Sequence, residues 1–261
     1  MFEYCSLVSG SSGNCHFIKT SSTKILIDVG LSARRIVKSL EQIGESIEDI
    51  DAVFLSHVHG DHTRGLEVLF RRHGFDLYAH ESVLEALHLS PNDRVKALTG
   101  GIVDLDALRI ESFELPHDAP MTLGFRMGYN DKFLSIATDL GHVSESVMEM
   151  LRPSDFLILE ANHDEELVRV GPYPYHLKRR ILGQEGHLSN EAAGRLISRL
   201  YKEEKRLRFV MLAHLSEKNN YPELARISVE KILEEEGIEV GRDLILDVAH
   251  RDHCTAVYRI L

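Results

Sequence analysis

The stretch Ser56-His57-Val58-His59-Gly60-Asp61-His62 places three imidazoles and a carboxylate within six positions, directly after the apolar run Ala52–Leu55. With 15 histidines in 261 residues, an H-x-H-x-D-H pattern arises by chance in about three of a thousand such chains, so coincidence is the weaker explanation. Neutral imidazole and carboxylate are the donors that hold zinc, manganese or iron, and the end of a strand is stiff enough to fix their directions. On an extended segment His57 and His59 leave the same face and converge on one ion. A turn at Gly60 then aims Asp61 and His62 at a second ion nearby.

Six residues cannot complete two coordination shells, so further ligands must come from elsewhere in the chain. His117 comes just after the alternating stretch Leu108–Leu115, Asp139 after Phe133–Thr138, and His214 just after Arg208–Leu212. This recurrence is what strands ending at one common rim would produce. His250-Arg251-Asp252-His253 also has metal-like composition, but it falls where the last two strands need a turn, and Asp is favoured there. His16, His73, His80, His88, His142 and His176 have no spacing partner and read as structural.

The elements that must carry these groups are legible from periodicity and turn residues. Strands are predicted at Phe2–Val8, Cys15–Lys19, Lys24–Val29, Ala52–Leu55, Leu77–Ala79, Leu108–Leu115, Leu123–Tyr129, Phe133–Thr138, Phe156–Glu160, Arg208–Leu212, Leu244–Val248 and Thr255–Ile260. Helices are predicted after the N-cap Ser32, at His62–Arg72, Ser144–Leu151, Tyr175–Leu182, Asn190–Lys202 and Glu223–Glu236. The alternation in Leu108–Leu115 brings Phe113 into phase with Leu108 and Ile110 only with a bulge near Ser112. Strands first, then strands mixed with helices, repeated loosely in two halves, describe two sheets face to face with helices outside. No linker or repeat divides residues 1–261, so one domain is expected.

Composition narrows the function. Lys and Arg number 30 and Asp and Glu 41, a net charge of −11; an exterior that acidic disfavours a protein that coats nucleic acid, but not a deep site that grips a few phosphates through metal ions. Three cysteines without a C-x-x-C clip argue against a disulfide scaffold or cysteine-based zinc site and for a reducing cytoplasm. There is no apolar run of membrane-spanning length, and Met1-Phe2-Glu3-Tyr4-Cys5 does not read as a signal peptide. No membrane partner is expected.

The H-x-H-x-D-H motif followed in order by strand-end His, Asp and His resembles the metallo-β-lactamase superfamily. Ser9-Gly10-Ser11-Ser12-Gly13-Asn14, Ile27-Asp28-Val29-Gly30, Thr138-Asp139-Leu140-Gly141, Leu159-Glu160-Ala161-Asn162-His163-Asp164, Gly186-His187-Leu188-Ser189-Asn190 and Ala213-His214-Leu215-Ser216 narrow the likeness to the YycJ (WalJ) branch. That branch is similar to ribonuclease Z in its nuclease-type motifs. The resemblance spans nearly the whole chain. It implies an α/β fold of the αββα sandwich type, with the site at one rim, and a two-metal phosphodiesterase with 5′→3′ exonuclease action on DNA. Carried over, His57, His59 and His117 hold one metal, Asp61, His62 and His214 hold the other, and Asp139 bridges them. Asp28 braces the ligand loop from behind.

Two divalent ions, less Asp61, Asp139 and a bridging hydroxide, leave a cluster near +1 that attracts a phosphodiester. Coordination would bring a bound water's pKa toward neutrality, and the expected nucleophile is that bridging hydroxide, in line with phosphorus. The leaving alkoxide needs a proton, for which His187 is the expected donor, oriented by Glu160; the resemblance to ribonuclease Z supports this pairing. Asn14 with its loop, His163 and Lys178 are candidate substrate contacts, each with a plain structural alternative: a turn, support for Glu160, and a solvated basic face. Leu177 and Ile181 are expected to face inward, leaving Lys178-Arg179-Arg180 outward. Rival readings are a hydrolase of an ester, thioester, lactone or cyclic phosphodiester, an RNA-processing nuclease, and a non-catalytic binding module. Metal identity and oligomeric state are left open.

Overall fold

The computed structural model describes residues 1–98 and 101–260. Its strands are β1 (Glu3–Val8), β2 (Cys15–Lys19), β3 (Lys24–Ile27), β4 (Ala52–Phe54), β5 (Asp76–Ala79), β6 (Val95–Ala97), β7 (Ile102–Leu105), β8 (Leu108–Glu114), β9 (Leu123–Tyr129), β10 (Lys132–Ala137), β11 (Phe156–Glu160), β12 (Phe209–Ala213), β13 (Ile245–Val248) and β14 (Tyr258–Arg259). The helices are α1 (Ala33–Gln42), α2 (Gly60–Thr63), α3 (Leu66–Arg72), α4 (Glu81–Ala86), α5 (Glu145–Leu151), α6 (Glu165–Val170), α7 (Tyr175–Ile181), α8 (Asn190–Glu204) and α9 (Pro222–Glu235).

The strands form two mixed sheets, ordered β14-β1-β2-β3-β4-β5-β6 and β13-β12-β11-β10-β9-β8-β7. Each sheet is antiparallel at one end and parallel at the other: β3 to β6 pair in parallel in the first, β10 to β13 in the second. Parallel strands end on the same side, so β3, β4, β10, β11 and β12 deliver the residues after them to one edge. Three apolar clusters define the layers. Tyr4, Ile25, Ile27 and Phe54 of one sheet meet Phe125, Leu134, Ile158 and Met211 of the other. Leu26, Val53 and Leu77 pack outward on Ile36, Leu40, Leu69 and Val83. Leu157, Leu159, Val210 and Leu212 pack outward on Met148, Ile197, Val229 and Leu233. Both faces of each sheet are covered, which is why its central strands are apolar throughout. The result is an αββα sandwich.

The structure corrects several sequence readings. β8 and β9 pair without a register shift from Arg109–Gly128 to Glu114–Leu123, so the bulge expected near Ser112 is absent. None is needed, because Phe113 packs with the helix-side cluster while Leu108 and Ile110 join the inter-sheet core. Predicted helix His62–Arg72 is broken into α2 and α3 at Arg64-Gly65, where a Cβ on Gly65 would meet the Leu31 carbonyl oxygen at 2.5 Å. Strands β6 and β7 and helices α4 and α6 escaped the sequence reading; β7 is largely exposed and lacks apolar alternation. Strand Thr255–Ile260 shrinks to the two residues of β14. No helix among the described residues is long and apolar enough to cross a membrane.

Candidate metal centre

His57, His59, Asp61 and His62 lie just past β4, and the loop that carries them is clamped from below. Asn14 N–H donates to the Asp61 carbonyl (2.8 Å), Gly30 N–H to Asn14, and Val29 N–H to His62 (both 2.8 Å). A Cβ on Gly30 would stand 1.6 Å from the Asp61 carbonyl oxygen, so this crossing of three backbones needs glycine. The turn expected at Gly60 is instead the start of the one-turn helix α2, with His59 in the preceding cap position. Nothing would crowd a Cβ on Gly60.

Asp139 follows β10 and His214 follows β12, as Asp28 follows β3, and all three adopt the left-handed conformation, at φ 64°, 55° and 62°. Asp and His tolerate that region better than branched residues do. The abrupt change of direction after an extended strand turns each side chain along the rim. Such strained positions concentrate where the surrounding structure holds them for a purpose.

Four histidines each have one ring nitrogen tied to a fixed acceptor, which sets the direction of the other. His57 Nδ1 lies 2.9 Å from Ser56 Oγ, which itself donates to Asp28 Oδ2 at 2.8 Å. His62 Nδ1 lies 2.7 Å from the same Asp28 oxygen, His117 Nδ1 lies 3.0 Å from the Gly186 carbonyl, and His214 Nδ1 lies 2.7 Å from Glu160 Oε1. Their Nε2 atoms are left for the interior of the cluster. Ligand-type atoms of His57, His59 and His117 lie within 4.8 Å of one another, and so do those of Asp61, His62 and His214. Asp139 lies between: its Oδ2 is 3.3 Å from His62 Nε2, and its Oδ1 is 3.5 Å from His214 Nε2 and 3.8 Å from His117 Nε2.

This arrangement fits divalent cations on its own evidence. Asp139 Oδ2 is buried and has no hydrogen-bond partner, an arrangement that is costly unless something else satisfies it. The Asp61 carboxyl is pushed up by burial but, more strongly, pulled below its ordinary range by His214 and His62. Burial alone would lower His62, yet Asp139 and Asp28 outweigh it and raise that ring to about 10. Cations entering the cluster therefore displace protons.

Glu160 is fully buried at the end of β11. Its Oε2 accepts from the Leu140 N–H (3.1 Å) and the Leu188 N–H (2.9 Å), and its Oε1 faces His214 and, at 2.9 Å, His187 Nδ1. Burial opposes its charge, but His187 and then His214 hold it ionised. The ring of His187 is in turn raised above its ordinary value by Glu160, against burial. Glu160 is thus a positioning residue for two histidines, a double role beyond the single pairing read from sequence. Its backbone neighbourhood isolates it from solvent, whereas His187 opens onto a hollow of about 170 Å³ that also receives Asn162, Tyr173, Leu177 and Ile181.

The candidate substrate contacts separate. Asn14 is fully buried: its amide oxygen accepts from Ser9 Oγ and the Gly10 N–H, and its nitrogen donates to the Gly10 carbonyl. It closes the turn and supports His62, 3.2 Å from Nε2, so its expected contact with substrate gives way to a positioning role. His163 is also buried, with its pKa lowered to about 4, first by burial; it pairs in the backbone with Ser189 and faces no solvent. Lys178 Nζ donates to the Arg169 carbonyl at 2.6 Å and lines an outer hollow. Leu177 and Ile181 are only half-buried, and Arg180 stays exposed while pairing with Asp118, whose Oδ1 stands 3.3 Å from His117 Nε2. Ser56, Asp118 and Arg180 were not singled out from sequence as site residues; the adjacency of Ser56 and Asp118 to His57 and His117 was the available signal. His250–His253 lies in a bend of the segment that crosses from β13 in one sheet to β14 in the other, in place of the expected turn between neighbouring strands, and its two rings stack at 4.0 Å between centroids.

Fold and site together place the chain in the β-lactamase superfamily: that superfamily's domain profile matches residues 23–210, and the chain belongs to it. Proteins of this metallo-β-lactamase type hold divalent metal ions, and the donor set above fits them. More particularly, the chain is 37% identical over 254 residues to exodeoxyribonuclease WalJ of Streptococcus pneumoniae, spanning 93% of this chain and 92% of that protein. It is 36% identical over 240 residues to exodeoxyribonuclease YycJ of Bacillus anthracis, spanning 90% of each. The fold is shared with the metallo-β-lactamase fold protein YhfI of Bacillus subtilis, with a TM-score of 0.71 and 16% identity over 98% of this chain and 100% of that one. Human tRNase Z, short form, gives 0.62 and 15% over 98% and 100%.

Proposed function

We propose that this protein is a two-metal exodeoxyribonuclease that degrades DNA from a 5′ end in the cytoplasm, a compartment in keeping with its three free cysteines. The observation that carries the reading is the pairing of two histidine-rich ligand groups across Asp139 with a histidine, His187, that stands beside them and is no part of either triad. His57, His59 and His117 would hold one ion, Asp61, His62 and His214 the other, with Asp139 between. Ions held there supply Lewis acidity to the phosphoryl oxygens and an activated water at neutral pH. Zinc, manganese and iron all suit nitrogen and oxygen donors.

The protein's own groups then do the rest. Asp28, Ser56, Glu160 and the Gly186 carbonyl hold the imidazoles in one tautomer and direction. His187, tied through Nδ1 to Glu160, presents Nε2 to the hollow and can give a proton to the departing sugar oxygen. An acyl ester has less need of such an acid, which favours phosphodiesters over thioesters and lactones. The similarity to the WalJ and YycJ exodeoxyribonucleases supports DNA.

The test is degradation of 5′- and 3′-labelled single- and double-stranded DNA and RNA by protein loaded with zinc, manganese or iron, with Asp61→Ala alongside. Stepwise loss from the 5′ end of DNA, abolished in Asp61→Ala, is expected. Equal cutting by the variant, or cutting confined to RNA, overturns the reading.

A further inference from the structure

The chain carries a net charge of −11, yet residues 171–184 contain Lys178, Arg179 and Arg180 and not one acid. That segment leads into and includes α7, which buries none of its residues among the described ones. Its packing therefore does not account for its composition. Tyr175 is 76% exposed, and the Arg179 guanidinium stands 6.0 Å from the centre of its ring. Tyr173, Tyr175, Lys178 and Arg179 border a hollow of about 470 Å³. Tyr173 also borders the smaller hollow at His187, so the two lie on either side of that one ring. A basic helix face that is merely solvated needs neither an unpacked tyrosine nor a path to the metal cluster.

Resting on the phosphodiesterase reading above, we propose that the Pro172–Leu182 segment is the strand-entry surface of the enzyme. An unpaired DNA end lies along it, stacks a base on Tyr175, sets successive phosphates on Lys178 and Arg179, and passes Tyr173 to reach His187. Aromatic faces bind unpaired bases regardless of sequence, and neighbouring cations follow the backbone. A paired duplex offers no free base face, so the surface selects single strands or frayed ends. The Arg180–Asp118 pair stands at the inner end of the path, where an arriving phosphate can take the guanidinium from its carboxylate.

Binding of a fluorescent single-stranded phosphorothioate oligodeoxythymidine, which resists cutting, to the metal-loaded protein tests the proposal. Tyr175→Ala is expected to weaken binding about tenfold and Tyr175→Phe to restore it. In Lys178→Ala/Arg179→Ala the slope of log affinity against log salt should shrink by about 1.4, at roughly 0.7 per lost phosphate contact on a single strand. Blunt duplex should compete at least about tenfold less well than single strand. Unchanged affinity and slope in these variants, no binding by the wild type, or equal competition by duplex overturns the strand-entry surface. Should those outcomes accompany normal cleavage of labelled DNA, the catalytic reading stands alone. Tyr175-dependent binding by a protein that cuts no phosphodiester leaves the surface and removes the catalysis.

Discussion

Each of the imidazoles His57, His62, His117 and His214 has its Nδ1 beside a partner on the far side of the ring, which fixes the direction of its Nε2: Ser56, Asp28, the Gly186 carbonyl and Glu160. Glu160 serves His214 and His187 at once, so two substitutions should differ in kind. His187→Ala is expected to keep its metal and lose roughly 10²- to 10⁴-fold in turnover, as removal of a general acid does. Glu160→Gln, which leaves His214 without its carboxylate, should lower metal affinity about 10- to 100-fold as well. Metal content by mass spectrometry beside kcat on a labelled oligonucleotide separates them; full metal retention in Glu160→Gln would confine its role to His187. The motif residues were legible as candidate ligands because their residue types cluster where a strand ends. Ser56 and the double role of Glu160 were not, because a brace is recognised by what it touches.

Strand ends are the device that gathers the site. β3 and β12 run directly into a residue in the left-handed region, and β10 reaches one after Thr138; the loops released at this rim cross at contact distance. Gly30 is the tightest of these crossings, against the Asp61 carbonyl. Gly30→Ala is expected to destabilise the fold by more than about 2 kcal/mol, in the range that overpacking costs where backbone cannot yield, and to reduce bound metal. Gly60→Ala, with open space around it, should do neither. Urea midpoints and metal analysis of the two variants check this; an intact Gly30→Ala would show that the crossing can relax. The sequence placed most strands within a residue or two, because apolar strands buried on both faces stand out. It missed β7, which is edge-located and exposed, and it pictured α7 as packed when its Leu177 and Ile181 face a hollow.

Across the whole molecule, burial sets one acid-sensitive group behind the site. His16 is buried between the sheets, its Nδ1 2.9 Å from the Tyr4 hydroxyl, and burial, then His62 and His214, push it down to about 3. Its folded pKa lies below the unfolded value of about 6.5, so its neutrality costs nothing above that pH. As pH falls from there toward 3, the unfolded chain binds a proton that the native state refuses, and stability drops. At pH 5 the loss is about 2 kcal/mol. The unfolding free energy of wild type minus that of His16→Leu should therefore fall by about that amount between pH 7 and pH 5 in urea titrations; a pH-independent difference would show that His16 is hydrated. What the sequence determined by itself was local: the donor groups of the motif, apolar strands and turn residues, all set by neighbours a few positions apart. The tertiary structure alone decided which far-separated groups share a space, such as Glu160 with His214, Asn14 beneath His62, and Tyr173 joining the basic helix to His187. Those meetings depend on how sheets stack and loops cross, and no short-range pattern encodes them.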